Sequence, residues 1–199
     1  MIEFVIGSSL AASAGLNAWM PLFLLGLADR FLPAVDLPAG WSWISSDIAL
    51  WVLGALLLLE IIADKVPAVD SVNDVIQTVL RPASGGIVFG AGASAETVAV
   101  DDPSTFFSEH TWVPIVTGIV IALVVHALKA ATRVAANTVT GGLAAPALST
   151  AEDGASFAIA AAAIIVPIVA GLLLIALIVG AVMMLRRFTR RRREQRRAA

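Results

Sequence analysis

Six stretches of this chain, residues 3–28, 47–66, 72–93, 111–131, 134–150 and 157–185, approach the run of about 20 predominantly apolar residues that a membrane-crossing helix needs. Between them the charges alternate. Lys65, Lys129, Arg133 and a terminal arginine cluster occupy one set of joints; acidic residues occupy the other. Lys and Arg favour cytoplasmic connections whereas acidic residues have little topogenic effect, so this alternation counts crossings independently of hydropathy. It predicts an all-α fold, a polytopic membrane helix bundle of about six spans. Composition agrees: 59% hydrophobic content exceeds the roughly 45–50% of soluble domains, and mean hydropathy is +0.91.

With the basic tail cytoplasmic, the outer joints are 29–46, 94–110 and 151–156, holding eight acidic residues against the single basic residue Arg30. Trp41, Trp43, Trp51 and Trp112 fall near that outer boundary, where indoles prefer to sit. The expected location is the cell membrane, multi-pass, with both termini cytoplasmic. Glu3 and the lack of a basic leading region argue against a cleaved signal peptide, so the start reads as the first span.

Two spans are weaker. Residues 72–93 carry Asp74, Gln77, Arg81 and Pro82, while 134–150 are short and contain Asn137, Gly141, Gly142 and Pro146, so each is a candidate broken or re-entrant helix. A four-crossing version, in which both dip in and return, keeps the termini inside at the expense of the charge bias. An offset of 64 residues aligns Lys65, Asn73 and Pro82 with Lys129, Asn137 and Pro146, which makes 47–84 and 111–148 a candidate internal duplication. The expected organisation is a membrane domain, 1–185, followed by an Arg-rich cytoplasmic tail, 186–199.

Ionisable groups inside the apolar runs are where chemistry would reside. Glu60 and Asp64 are one turn apart, and Asp70, Asp74, Gln77 and Arg81 continue at spacings of four, three and four. His126, Lys129 and Arg133 form a basic stripe at spacings of three and four. Each costs at least about 2.5–3.5 kcal/mol near the bilayer centre, which leaves two explanations: mutual pairing that locks helices together, or a polar pocket. Glu60 is the sharpest case, lying a full turn inward of Lys65. His126 reads as a proton shuttle or as a donor to a facing carbonyl. Asn17, inside the first span, needs a partner because an unpaired amide in hydrocarbon costs several kcal/mol. Gly86 and Gly90 have the small-residue spacing that lets helices approach closely.

Without cysteine, disulfides and thiol chemistry are excluded. No nucleotide-binding, nucleophile-elbow or zinc-hydrolase spacing occurs, and neither cofactor nor metal is expected. The segment RRFTRRRREQRR holds eight of the thirteen basic residues. Beneath a bilayer such a cluster binds anionic lipids rather than nucleic acid, each residue contributing about 1 kcal/mol.

At SLAASAGLNAWMPL, LEIIADKVPAVDSVNDVIQTVLRPASG and HALKAATRVAANTVTGGLAAPALSTAEDG, the chain resembles a family of small bacterial integral membrane proteins, the DUF4126 domain of unknown function. That resemblance implies no activity and assigns no catalytic residue. The expected function is transport or permeation of a small or amphipathic solute. The pathway would be lined by Asn17, Glu60, Asp64, Asn73, Asp74, Arg81, His126, Lys129, Arg133 and Asn137. The alternatives are a non-catalytic membrane scaffold or partner-binding subunit, which a homo-oligomer would suit, and an intramembrane lipid-modifying enzyme.

Overall fold

The computed structural model describes residues 1–65, 67–97 and 112–198. Among these residues the chain is all-helical, with seven α-helices: α1 (Ile2–Leu16), α2 (Met20–Phe31), α3 (Asp47–Ala63), α4 (Pro67–Ser94), α5 (Trp112–Thr140), α6 (Ala145–Ile165) and α7 (Pro167–Ala198). A short 3-10 turn, Ser42–Ser45, precedes α3. Of these, α5 and α6 are the two helices long and apolar enough to cross a membrane by length and composition. Most of the expected outer joint 94–110 lies outside the described residues, as does His110.

The first expected span, 3–28, is two helices rather than one. Asn17 leaves the helix in an extended conformation (φ −143°, ψ 121°). Its Oδ1 accepts the N–H groups of Trp19 and Met20 at 3.2 and 3.0 Å. The amide thus satisfies donors that an incipient helix leaves open, and Pro21 follows in the first turn, where a missing N–H is harmless.

From this break the chain turns back. Ser13 meets Ser156 and Asn17 meets Asp153, so α1 descends α6; Leu24, Ala28 and Phe31 of α2 share a groove with Ala161, Ile164 and Ile165, so α2 climbs it again. At the upper end, Ile6 and Leu10 lie against Gly92, and the loop after α2 returns there, with Asp36 and Glu96 exchanging backbone hydrogen bonds of 3.0 Å. Helices α1 and α2 are therefore a hairpin whose tip, 17–19, ends inside the bundle.

Two other expected boundaries shift. Residues 157–185 are split at Val166 (φ −140°, ψ 76°), because Pro167 has no N–H to continue the ladder and disfavours helical geometry in the residue before it. Helix α7 then folds back along α6, so that Leu148 and Glu152 share a cleft with Leu177 and Ala181. Residues 134–150 are no separate span. They comprise the end of α5, a turn in which Gly141 and Gly142 take φ of 62° and 89°, and the start of α6. Such left-handed positions stop a helix. Residues 72–93 belong to one helix, α4, that continues through Pro82. The proposed repeat units also differ in helix boundaries: α3 ends at Ala63, just before Lys65, whereas α5 runs uninterrupted past Lys129.

Small residues let α1, α4 and α5 touch closely. A Cβ placed on Gly15 would lie 2.6 Å from Val125 Cβ and 2.7 Å from the Ala122 carbonyl oxygen. Gly15→Leu is expected to lower stability by about 1–3 kcal/mol through overpacking, while Gly154→Leu, with nothing within 4 Å of its Cβ position, is expected to be near neutral. Unfolding of the two variants in detergent micelles checks this.

Polar and charged groups are buried beside an apolar core that includes Ile6, Leu10 and Phe89. Ser9, Asn17, Glu60, Asp64, Arg81 and Lys129 are buried, whereas Trp51, Leu59, Val75, Val79, Ile168 and Leu172 face outward.

Candidate functional site

The hairpin tip ends on a buried network of charges drawn from α3, α4, α5 and α6. At its centre Arg81, 0% exposed, donates from Nη2 to Glu60 Oε1 at 3.0 Å and lies 3.7 Å from Asp64 Oδ2. Its Nη1 lies 3.7 Å from Asp74 Oδ1. Asp64 is the second hub. Its Oδ1 accepts from Asn73 Nδ2 at 2.7 Å; its Oδ2 accepts from Lys129 at 3.2 Å and from Arg133 at 3.3 Å.

The helix ends are bound into this network. The Glu60 carboxylate accepts the Ala18 N–H at 3.0 Å, beside the start of α2, and Lys129 Nζ donates to the Leu16 carbonyl at 2.7 Å, at the end of α1. An anion at a helix N-terminus and a cation at a C-terminus both oppose the helix dipoles favourably. Ser84 Oγ donates to the Ala18 carbonyl, and Asn17 Nδ2 donates to Asp153 Oδ1 at 3.1 Å.

Both ring nitrogens of His126 are engaged. Its Nδ1 lies 2.8 Å from Arg81 Nη1 and its Nε2 lies 3.1 Å from Thr78 Oγ1. A guanidinium can only donate, so Nδ1 accepts and Nε2 carries the proton. Thr78 Oγ1 gives its own proton to the Asp74 carbonyl, which leaves it free to accept from Nε2.

Nine of the ten residues expected from sequence therefore converge, directly or through one neighbour: Asn17, Glu60, Asp64, Asn73, Asp74, Arg81, His126, Lys129 and Arg133. Asn137 does not join them. Two turns beyond Lys129 on α5, its buried Oδ1 has no hydrogen-bond partner among the described residues.

Three further members, Lys65, Glu152 and Asp153, were not among the ten. Glu152 accepts from Arg133 at 2.5 Å and lies 3.2 Å from Lys129; Asp153 pairs with Lys65 at 3.3 Å. The expectation that Glu152 and Asp153 sit in an outer loop fails because residues 145–165 are continuous helix. Ser149, Asp153, Ser156 and Ala160 recur at helical spacing and are all buried. That polar stripe was the available signal.

Beside Lys129, Thr132 and Glu152 opens a cleft of about 260 Å³ bounded by α5, α6 and α7, otherwise lined mainly by apolar side chains including Leu128, Leu148 and Leu177. Among the described residues no group of three or more His, Cys, Asp or Glu is arranged to hold a metal ion.

A family model described as a domain of unknown function, DUF4126, matches residues 4–187. No curated protein and no solved structure matches the chain.

Proposed function

The chain belongs to the DUF4126 family of unknown function, and we propose that it is a multi-pass membrane protein that carries a small or amphipathic solute past the tip of a re-entrant hairpin. In this reading α3 to α7 cross the bilayer and the α1–α2 hairpin dips in from the outer face. The turns at 64–65 and 141–144, with the basic tail, face the cytoplasm. Inward ionisable groups and outward Trp51, Leu59, Val79 and Leu172 support lipid as the solvent.

The observation that carries the reading is the helix break at 17–19, with Glu60 on one end and Lys129 on the other. Broken helices in transporters present free N–H groups to anions and free carbonyls to cations. Here the protein's own side chains occupy both positions, so a solute binds by exchanging with one of them. Such a site is closed at rest and costs little to reopen, because each displaced group keeps a second partner: Glu60 keeps Arg81, and Lys129 keeps Asp64.

The topology differs from one with both termini cytoplasmic, since the hairpin returns the start of α1 to the outer end. Ile2→Cys is expected to react with an impermeant thiol reagent from outside, and Leu143→Cys only from the cytoplasmic side. Labelling of both from one side would refute the hairpin.

For function, Asn17→Ala removes the amide that both ends the break and reaches Asp153. At wild-type membrane levels this variant is expected to reproduce the changes in solute and lipid content that deletion of the whole protein causes. Wild-type content in the Asn17→Ala cells, against a changed deletion strain, would remove the transport reading.

A further inference from the structure

We infer that the cleft between α5, α6 and α7 seats one acyl chain of an anionic membrane lipid, with its phosphate held by Lys129 and Arg133. The inference deepens the reading above and rests on its membrane location.

The cleft joins two chemistries. Leu128, Leu148, Leu177 and Ile178 supply apolar wall over about 260 Å³, and at one place that wall becomes Lys129 and Glu152. Hydrocarbon beside a fixed charge fits an amphiphile better than a purely apolar or a freely soluble ligand.

The sign of the head group follows from what is replaceable. Lys129 and Arg133, both on α5, share two carboxylates. Asp64 is sealed, its side chain 1% exposed, whereas Glu152 belongs to α6, lines the cleft and is 11% exposed. A lipid phosphate can take the place of Glu152 one for one, leaving both cations paired with Asp64 as before and the buried charge unchanged. A phosphate also suits the guanidinium fork of Arg133. Beyond the cleft along α7 the next ionised groups are Arg186 and Arg187, both exposed, about one and a half turns past the lining residue Ala181. The mouth is thus flanked by positive charge, which attracts the anionic lipids of a cytoplasmic leaflet.

Gly180 provides the test. It lines the cleft, and a Cβ built there meets nothing within 4 Å. Gly180→Phe therefore carries a ring toward the cleft from a position open at its Cβ, and Gly180→Ala is its control. Full-length protein, delipidated in detergent, is titrated with phosphatidylglycerol, phosphatidylcholine or inorganic phosphate, and bound lipid is counted by native mass spectrometry.

Phosphatidylglycerol is expected to bind at least about tenfold more tightly than phosphatidylcholine, with no competition from millimolar inorganic phosphate. Gly180→Phe is expected to lower that affinity at least about tenfold while leaving the lipid-free unfolding temperature unchanged. Glu152→Gln is expected to tighten binding, because the competing charge is gone. Unaltered binding by Gly180→Phe would overturn the inference and assign the lipid to the basic tail; weaker binding by Glu152→Gln would overturn it in favour of a cationic head group. Release of the protein from cell membranes by alkaline carbonate would instead refute the membrane reading, so the two failures are separable.

Discussion

Replacing Arg81 with Met is expected to destabilise the bundle by about 3–5 kcal/mol, the usual cost of removing one partner from a buried ion pair. The side chain is 0% exposed and faces Glu60 at 3.0 Å, Asp64 at 3.7 Å, Asp74 at 3.7 Å and His126 at 2.8 Å. Met fills a similar volume with no donor. Glu60 would then keep only the Ala18 N–H as a described hydrogen-bond donor, and His126 Nδ1 would lose its own. Most of the cost lies in those stranded groups rather than in the lost attraction. The double variant Glu60→Gln/Arg81→Met is therefore expected to recover more than half of it, since a neutral amide can still meet the Ala18 N–H. Denaturant unfolding in micelles measures both, and a loss below about 1 kcal/mol for the single variant would show that the pair is not sealed from water. The double variant also separates two functions. Recovered stability with full activity marks the network as scaffolding; recovered stability with lost activity marks it as the site.

The residues of this network were legible because an apolar run makes charge conspicuous. Glu60, Arg81 and Lys129 each interrupt an apolar run at helical spacing from another ionisable group, and the expense of burying them singly forces partners to exist. What spacing could not convey was which helix supplies each partner. Glu152 and Asp153 lie next to Gly154, three residues that together imitate a loop, yet the stripe of Ser149, Asp153 and Ser156 belongs to the buried face of one helix. Direction was harder still. Asn17 announced a polar position in the first span, but whether an amide glues two helices or ends one depends on φ and ψ at a single residue, and here the second outcome reverses the chain. The same holds at Val166, where the Pro167 signal was present but lay within the strongest apolar run of the sequence. Hydropathy measures how much chain is greasy; it does not register where the chain folds back.

Lys129→Met is expected to be equally costly, about 3–5 kcal/mol, and to act at the hairpin tip rather than uniformly. The ammonium donates to the Leu16 carbonyl at 2.7 Å and to Asp64 at 3.2 Å, and it pairs with the Glu152 carboxylate at 3.2 Å. Arg133 still serves both carboxylates when Lys129 is gone, so the group left most exposed to loss is the Leu16 carbonyl, at the C-terminal end of α1 where a cation is favoured. The tip should then open before the bundle unfolds. Ala18→Cys, fully buried in the parent protein, is expected to be inert to a thiol reagent with Lys129 present and reactive in the Lys129→Met background, at denaturant concentrations too low to unfold either. Lys129→Arg is expected to fail in the same direction, because a planar fork cannot direct donors to a carbonyl and two carboxylates around a point. A silent Ala18→Cys in both variants, with stability within about 1 kcal/mol of the parent, would mean that α1 and α2 hold the break by themselves and that Lys129 does not anchor it.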